Sequence, residues 1–121
     1  MIKSLVAVML GGALGALSRY GLYLLFKQVS YSVFLATLSA NVIGCFLMGW
    51  VYQWFSQYAK YDENLQLFIM VGILGALTTW STFSMETVLL MEQGEIAKAL
   101  LYTLMTVSAC FTAFWLGLKM T

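Results

Sequence analysis

The chain has 121 residues, of which 62% are hydrophobic and 9% charged, with a net charge of +1 and no His or Pro. That length suits one domain, and so few charges neither cover a soluble surface nor build a basic face for nucleic acid. A mean hydropathy of +0.88 in long apolar runs points to an integral membrane protein.

The first run is Ser4–Phe26. It is longer than the roughly 7–15 residues of a signal-peptide core, so it reads as a membrane span. Within it, "GGALGA" places Gly11, Gly12, Gly15 and Ala16 where another helix can approach closely. Arg19 has no acid in its own span. It reads either as an anchor snorkelling to the headgroups or as a positive charge at the mouth of an anion path.

The second run, Val33–Phe55, holds Asn41 near its centre in "LSANVIGCF". A buried amide needs hydrogen-bond partners or water. Asn41 is therefore either glue between helices or a donor lining a pore. Ala40, Gly44, Cys45 and Gly49 add small residues at helical spacing. Cys45 and Cys110 lie in apolar runs without CxxC spacing, and they read as small packing residues.

The third run, Leu65–Met91, contains "GALTTWSTFS", with Thr78, Thr79, Ser81, Thr82 and Ser84 crowded together. A continuous helix would turn some of these hydroxyls toward lipid. A break is more economical, because irregular backbone is tolerated inside protein or beside a water-filled cavity. Gly72 and Gly75 just before it give the chain freedom to bend. Freed carbonyls suit a cation; hydroxyls and N–H groups suit an anion. Trp80 and Phe83 are three apart and share a face where the helix resumes, and their ring edges carry partial positive charge. Glu86 is an intramembrane acid and hence a functional candidate. It reads as a proton relay, a partner for Arg19, or an acceptor for nearby hydroxyls.

The fourth run is Ile96–Leu118, where Thr106 and Cys110 share one face, as do Ser108 and Thr112. Short connectors, "KQVSYS" and "EQGE", imply antiparallel neighbours, with the longer "SQYAKYDEN" between spans two and three. Tyr20, Tyr23, Tyr31, Tyr52, Trp54, Tyr58 and Tyr61 fall near span ends, as an aromatic belt would place them. Four spans put both termini on one side with Lys3, Lys60 and Lys119, against Arg19, Lys27 and Lys98 toward the other. Balanced charge gives almost no orientation signal, so a chain inserting both ways and pairing as an antiparallel dimer is expected. Four short helices pack solid, so any lumen requires subunits to associate.

Three stretches together resemble the bacterial fluoride channels called Fluc or CrcB, over the whole chain. "GGALGALSRY" looks like that family's first-span Gly-Gly-x-x-Gly-x-x-x-Arg-aromatic motif. "ATLSANVIGCFLMG" is similar to its second-span motif around a pore Asn. "GILGALTTWSTFSME" resembles the third-span Thr-Thr-Phe-Ser-Thr-Phe-Ser-x-Glu signature. The resemblance implies an all-α integral membrane fold of four transmembrane helices, the third broken in its middle. It implies one four-span domain over 1–121, assembled as an antiparallel dual-topology homodimer in the bacterial inner membrane.

It further implies two fluoride pores and a structural Na⁺ at the dimer centre, held by backbone carbonyls that map to Gly75 and Thr78. Asn41, Trp80 and Phe83 map to pore positions, with Ser81, Thr82 and Glu86 on matching polar positions and Arg19 in the vestibule. Thr106 and Cys110 are the candidates for the span-four polar track, and Gly12, Gly15, Gly44 and Gly49 for helix packing. Two letters depart from the family pattern: Trp80 stands where Phe is usual, and Cys110 where Ser is common. The function implied is passive fluoride export that protects the cell when HF enters and dissociates.

A small multidrug-resistance-type exporter shares the span number and antiparallel pairing, but it wants an acid in span one, which holds Arg19 instead. A purely structural membrane subunit leaves the polar series in spans one to three unexplained. No nucleophile–base pair or metal-ligand spacing supports an enzyme.

Overall fold

The computed structural model describes residues 1–28, 33–58 and 62–120. Tyr31, Lys60 and Tyr61 lie outside the described residues. Four helical spans, Ile2–Gln28, Val33–Gln57, Glu63–Glu92 and Ile96–Leu118, are each long and apolar enough to cross a membrane. At about 1.5 Å per residue, each exceeds the roughly 30 Å of a bilayer's hydrocarbon core. The first is α1 (Ile2–Gln28) and the second α2 (Val33–Gln57). These helices run past the apolar stretches Ser4–Phe26 and Val33–Phe55 into polar ends at Gln28 and Gln57.

The third span is composite. Asp62 caps a short α3 (Glu63–Gln66) by accepting from the Asn64 N–H. Ser4 donates to Asn64 Oδ1 at 3.0 Å, tying the start of α1 to the start of span three. A π-helical stretch, Leu67–Leu74, follows, then α4 (Gly75–Leu77). Thr78 and Thr79 are extended, with ψ of 151° and 117°. Helix resumes as α5 (Trp80–Glu92). The break expected in "GALTTWSTFS" is thus confined to two residues. The π-helical stretch was not expected, because its sequence, "LFIMVGIL", is uniformly apolar and gives no periodic cue.

The break is also where span three changes neighbours. Its first half packs on α1, its second half on the fourth span, α6 (Ile96–Leu118), and α2 touches both halves. Glycines set the first contact. A Cβ on Gly11 would overlap the Phe68 carbonyl, one on Gly15 the Ile73 carbonyl, and one on Gly72 would press on the Gly11 Cα. Backbones can pack this closely only without side chains between them.

Gly94 turns the chain between α5 and α6 at φ 78°. Its N–H donates to the Met91 carbonyl and that of Glu95 to the Leu90 carbonyl. This paired closure of a helix end requires a left-handed residue, hence glycine.

Helices α2 and α6 (Ile96–Leu118) pack along each other and run parallel, as alternate spans must. Gly49 meets the Phe114 carbonyl, and Gly117 meets the Phe46 carbonyl. One core cluster joins Phe83, Leu90, Ala99 and Tyr102. Another joins Ala40, Leu74 and Leu77. Many other large apolar side chains, Leu17, Leu104 and Trp115 among them, face outward. That is the expected disposition of a multi-pass membrane protein, whose solvent is hydrocarbon.

Candidate functional site

Asn41 holds the break. Its Oδ1 accepts from the Thr79 N–H at 2.7 Å, and its Nδ2 donates to the Thr79 carbonyl at 3.1 Å. Both residues are buried. One amide side chain therefore satisfies both backbone groups that the extended residue cannot pair within a helix. Thr79 in turn caps α5, its Oγ1 accepting from the Thr82 N–H at 3.1 Å. That hydroxyl also donates to Thr82 Oγ1 at 3.1 Å and lies 3.2 Å from Ser81 Oγ. Thr78 bends back onto Leu74, donating to its carbonyl from both N–H and Oγ1.

Two open grooves flank this break, and Thr79 lines both. The first, about 510 Å³, is walled by Asn41, Cys45, Phe83, Thr106, Cys110 and Phe111, with Trp80 at its edge. The second, about 500 Å³, is lined by Arg19, Thr37, Thr82 and Glu86 together with Tyr20 and Tyr23. The candidate residues thus divide. Asn41, Trp80, Phe83, Thr106 and Cys110 meet in one groove, while Arg19, Thr82 and Glu86 meet in the other. Ser81 reaches neither lining and sits on the exposed side of the capping turn.

Trp80 and Phe83 do touch, with ring centroids 5.2 Å apart and planes tilted by 55°. Their surroundings differ sharply: Phe83 is 3% exposed and Trp80 72%. Phe83 also packs on Tyr102, again at 5.2 Å. Of the four candidate packing glycines, Gly15, Gly44 and Gly49 sit against other spans of the same chain, Gly44 against the Thr78 methyl. Gly12 has open space where its Cβ would be.

Glu86 is buried and accepts two hydroxyls, Thr37 Oγ1 at 2.8 Å and Tyr102 Oη at 2.7 Å. Among the described residues, the ion pair is between the exposed Lys98 and Glu95, at 3.0 Å, and does not involve Arg19 or Glu86. Of the readings open in the sequence, hydroxyl acceptance is the one seen, yet from distant helices and not from the Ser/Thr cluster. Thr37 and Tyr102 were missed. The available signal was spacing: Thr37 lies one turn before Asn41, and Tyr102 one turn before Thr106.

These pairs belong to one ladder. Thr37 and Tyr102, Asn41 and Thr106, Cys45 and Cys110, and Gly49 and Phe114 stand at a constant interval along the parallel α2 and α6. The first pair meets at Glu86, the next two line the first groove, and the last is a direct backbone contact. Thr106 Oγ1 is the rung left open: the residue is 4% exposed and, among the described residues, its hydroxyl has no partner. Such a group is costly unless something occupies the groove beside it.

The Glu86 node can be tested by stability. Tyr102→Phe removes one hydrogen bond to the carboxyl without changing ring packing, and should cost about 1–3 kcal/mol. Thr37→Val should cost a similar amount, and the double variant should lose less than the sum, because both act through Glu86. Thermal unfolding in detergent reads this; an unshifted Tyr102→Phe melting curve would show that the node contributes nothing.

Comparison with known proteins places this geometry. The family model described as "CrcB-like protein, Camphor Resistance (CrcB)" matches residues 6–118. A protein of Shewanella halifaxensis named "Fluoride-specific ion channel FluC" is 43% identical over 117 residues, covering 96% of this chain and 94% of its own. A protein of that name from Shewanella sp. strain ANA-3 is 44% identical with the same coverage. Another, from Escherichia coli, is 38% identical over 120 residues, again covering 96% and 94%. With the family model covering residues 6–118 and a relative 43% identical over 96% of its length, the chain belongs to the CrcB-like family.

Proposed function

We propose that this protein is a passive, fluoride-selective channel of the bacterial inner membrane, working as an antiparallel dual-topology homodimer. The observation that carries the reading is the first groove, where Asn41, Phe83 and the unpartnered Thr106 hydroxyl converge beside the break, in a family whose curated relatives are named fluoride-specific channels. Fluoride is small and strongly hydrated, so a path must replace its water with donors and still release it. Asn41 has a second Nδ2 hydrogen beyond the one spent on Thr79, Thr106 offers its hydroxyl, and Phe83 offers a ring edge. None of these carries a full charge, which keeps binding weak enough for passage. Arg19 lines the other groove and draws anions toward the path. Export then follows the gradient that HF entry and dissociation create in the cytoplasm.

Dimerisation is supported by what one chain leaves open. Phe111 and Trp80, at 75% and 72% exposure, stand at the first groove, which a second copy can close. The near-equal charge on the two sides agrees with insertion in both directions.

A structural Na⁺ fits the backbone at Gly75 and Thr78. The Thr79 N–H, which would continue the helix onto the Gly75 carbonyl, goes to Asn41 instead. Gly75 lies exposed on the chain's surface, with no crowding that a side chain there would meet beyond the Met70 carbonyl at 3.5 Å. Carbonyls of both copies would hold the ion, whose fixed positive charge offsets their dipoles and favours anions nearby.

Purified protein in liposomes loaded with potassium fluoride tests the proposal. With valinomycin carrying the counter-charge, fluoride should leave rapidly and chloride stay. Phe83→Ile should slow release by about tenfold or more, for a barrier raised by roughly 1.4 kcal/mol. Vesicles that keep their fluoride would overturn the assignment.

A further inference from the structure

The two cysteines of the chain, Cys45 on α2 and Cys110 on α6, occupy one rung of the ladder between these helices. Both are free thiols and only partly covered. Their side chains both line the first groove. One turn before them, Asn41 and Thr106 face the same groove; one turn after, Gly49 brings the backbones into contact and fixes the spacing. A pair of sulfurs held at constrained separation in apolar surroundings is a ligand set for soft metal ions. Oxygen-seeking cations gain nothing from it.

We propose that Cys45 and Cys110 form a two-thiol site for a soft, thiophilic metal cation of the Hg²⁺ and Ag⁺ class, and that the bound metal obstructs the groove beside Asn41. Such ions accept two sulfur ligands in a near-linear arrangement, so the two thiols suffice without a third residue. Mercuric chloride reaches the site uncharged. Each sulfur forms one bond to mercury, each thiol proton leaves to water, and two chlorides are released; no electrons are transferred. The sequence spacing gives no hint of this site, because the helix register creates it. The binding claim stands on the cysteines alone; the obstruction claim rests on the channel reading above.

The experiment titrates the full-length protein in detergent with mercuric chloride. The sulfur-to-mercury charge-transfer band is followed, and remaining thiols are counted with a chromogenic disulfide. One Hg²⁺ per chain should consume both thiols. Cys45→Ser and Cys110→Ser should each yield mercury readily to a competing monothiol, whereas the wild type should not. Two Hg²⁺ per chain, each on one thiol, would overturn the site. So would mercury bridging two chains, seen as a dimer band on a denaturing gel without reductant.

In liposomes, mercury-treated wild type should release fluoride about tenfold more slowly than the same protein untreated, as a raised barrier requires. Each variant is judged against its own untreated rate, which mercury should reduce less. Two-thiol binding with undiminished fluoride release would overturn the obstruction. Failure of the untreated wild type to release fluoride would defeat the channel reading, while the metal stoichiometry still decides the thiol site.

Discussion

Asn41→Ala should abolish fluoride release and lower the melting temperature together. The substitution removes both hydrogen bonds to Thr79. It leaves a buried N–H and a buried C=O unpaired within a membrane span, where water cannot replace the partner at will. At about 1–3 kcal/mol for each unsatisfied group, the loss is roughly 2–6 kcal/mol. Relief comes only by continuing the helix through Thr78 and Thr79, which would swing α5 out of its place against α6. Asn41→Asp keeps an acceptor for the Thr79 N–H and loses the donor, so its melting temperature should fall between wild type and Asn41→Ala. Scanning fluorimetry in detergent and liposome efflux read the two effects. An Asn41→Ala protein with native melting and native efflux would show that something else fixes the break.

Gly72→Leu should prevent the chain from folding, while Gly12→Leu should not. The two glycines lie close in the structure and differ in what a side chain would strike. At Gly72 the first added carbon presses on the Gly11 Cα, so the obstacle is main chain and cannot rotate aside. Whole helices must separate, at a cost above the roughly 1–3 kcal/mol of ordinary overpacking. At Gly12 no atom lies within 4 Å of the same position. Folded, monodisperse protein on gel filtration is the measure. Equal recovery of the two variants would contradict the close approach of α1 to span three. A Gly12→Leu chain that folds yet runs as a monomer would place Gly12 on the face between copies.

What the sequence made legible follows from what a bilayer demands. The spans were legible because hydrocarbon requires long apolar runs, and the break because hydroxyls are too dense there to face lipid. The partner of Asn41 was not legible: nothing local says that an amide on α2 serves Thr79 on span three. Thr37 and Tyr102 were hidden for the same reason, since their common acceptor, Glu86, lies on a third helix. The small residues were read as places of close helix approach, and Gly15, Gly44 and Gly49 make that approach within the chain. A glycine marks close approach without saying to what. The constant interval between α2 and α6 was within reach only once the two helices were known to be parallel neighbours.

Thr79 lines both grooves, and what stands between them is a stretch of main chain clamped by Asn41. This bears on how such a protein can diverge. Substitution changes side chains, so it can reshape either groove freely while leaving the partition itself out of reach. Trp80 and Cys110 both belong to the first groove, where the architecture permits side chains to vary. The divider is inherited as a backbone conformation, and the amide of Asn41 is a handle by which mutation can grasp it.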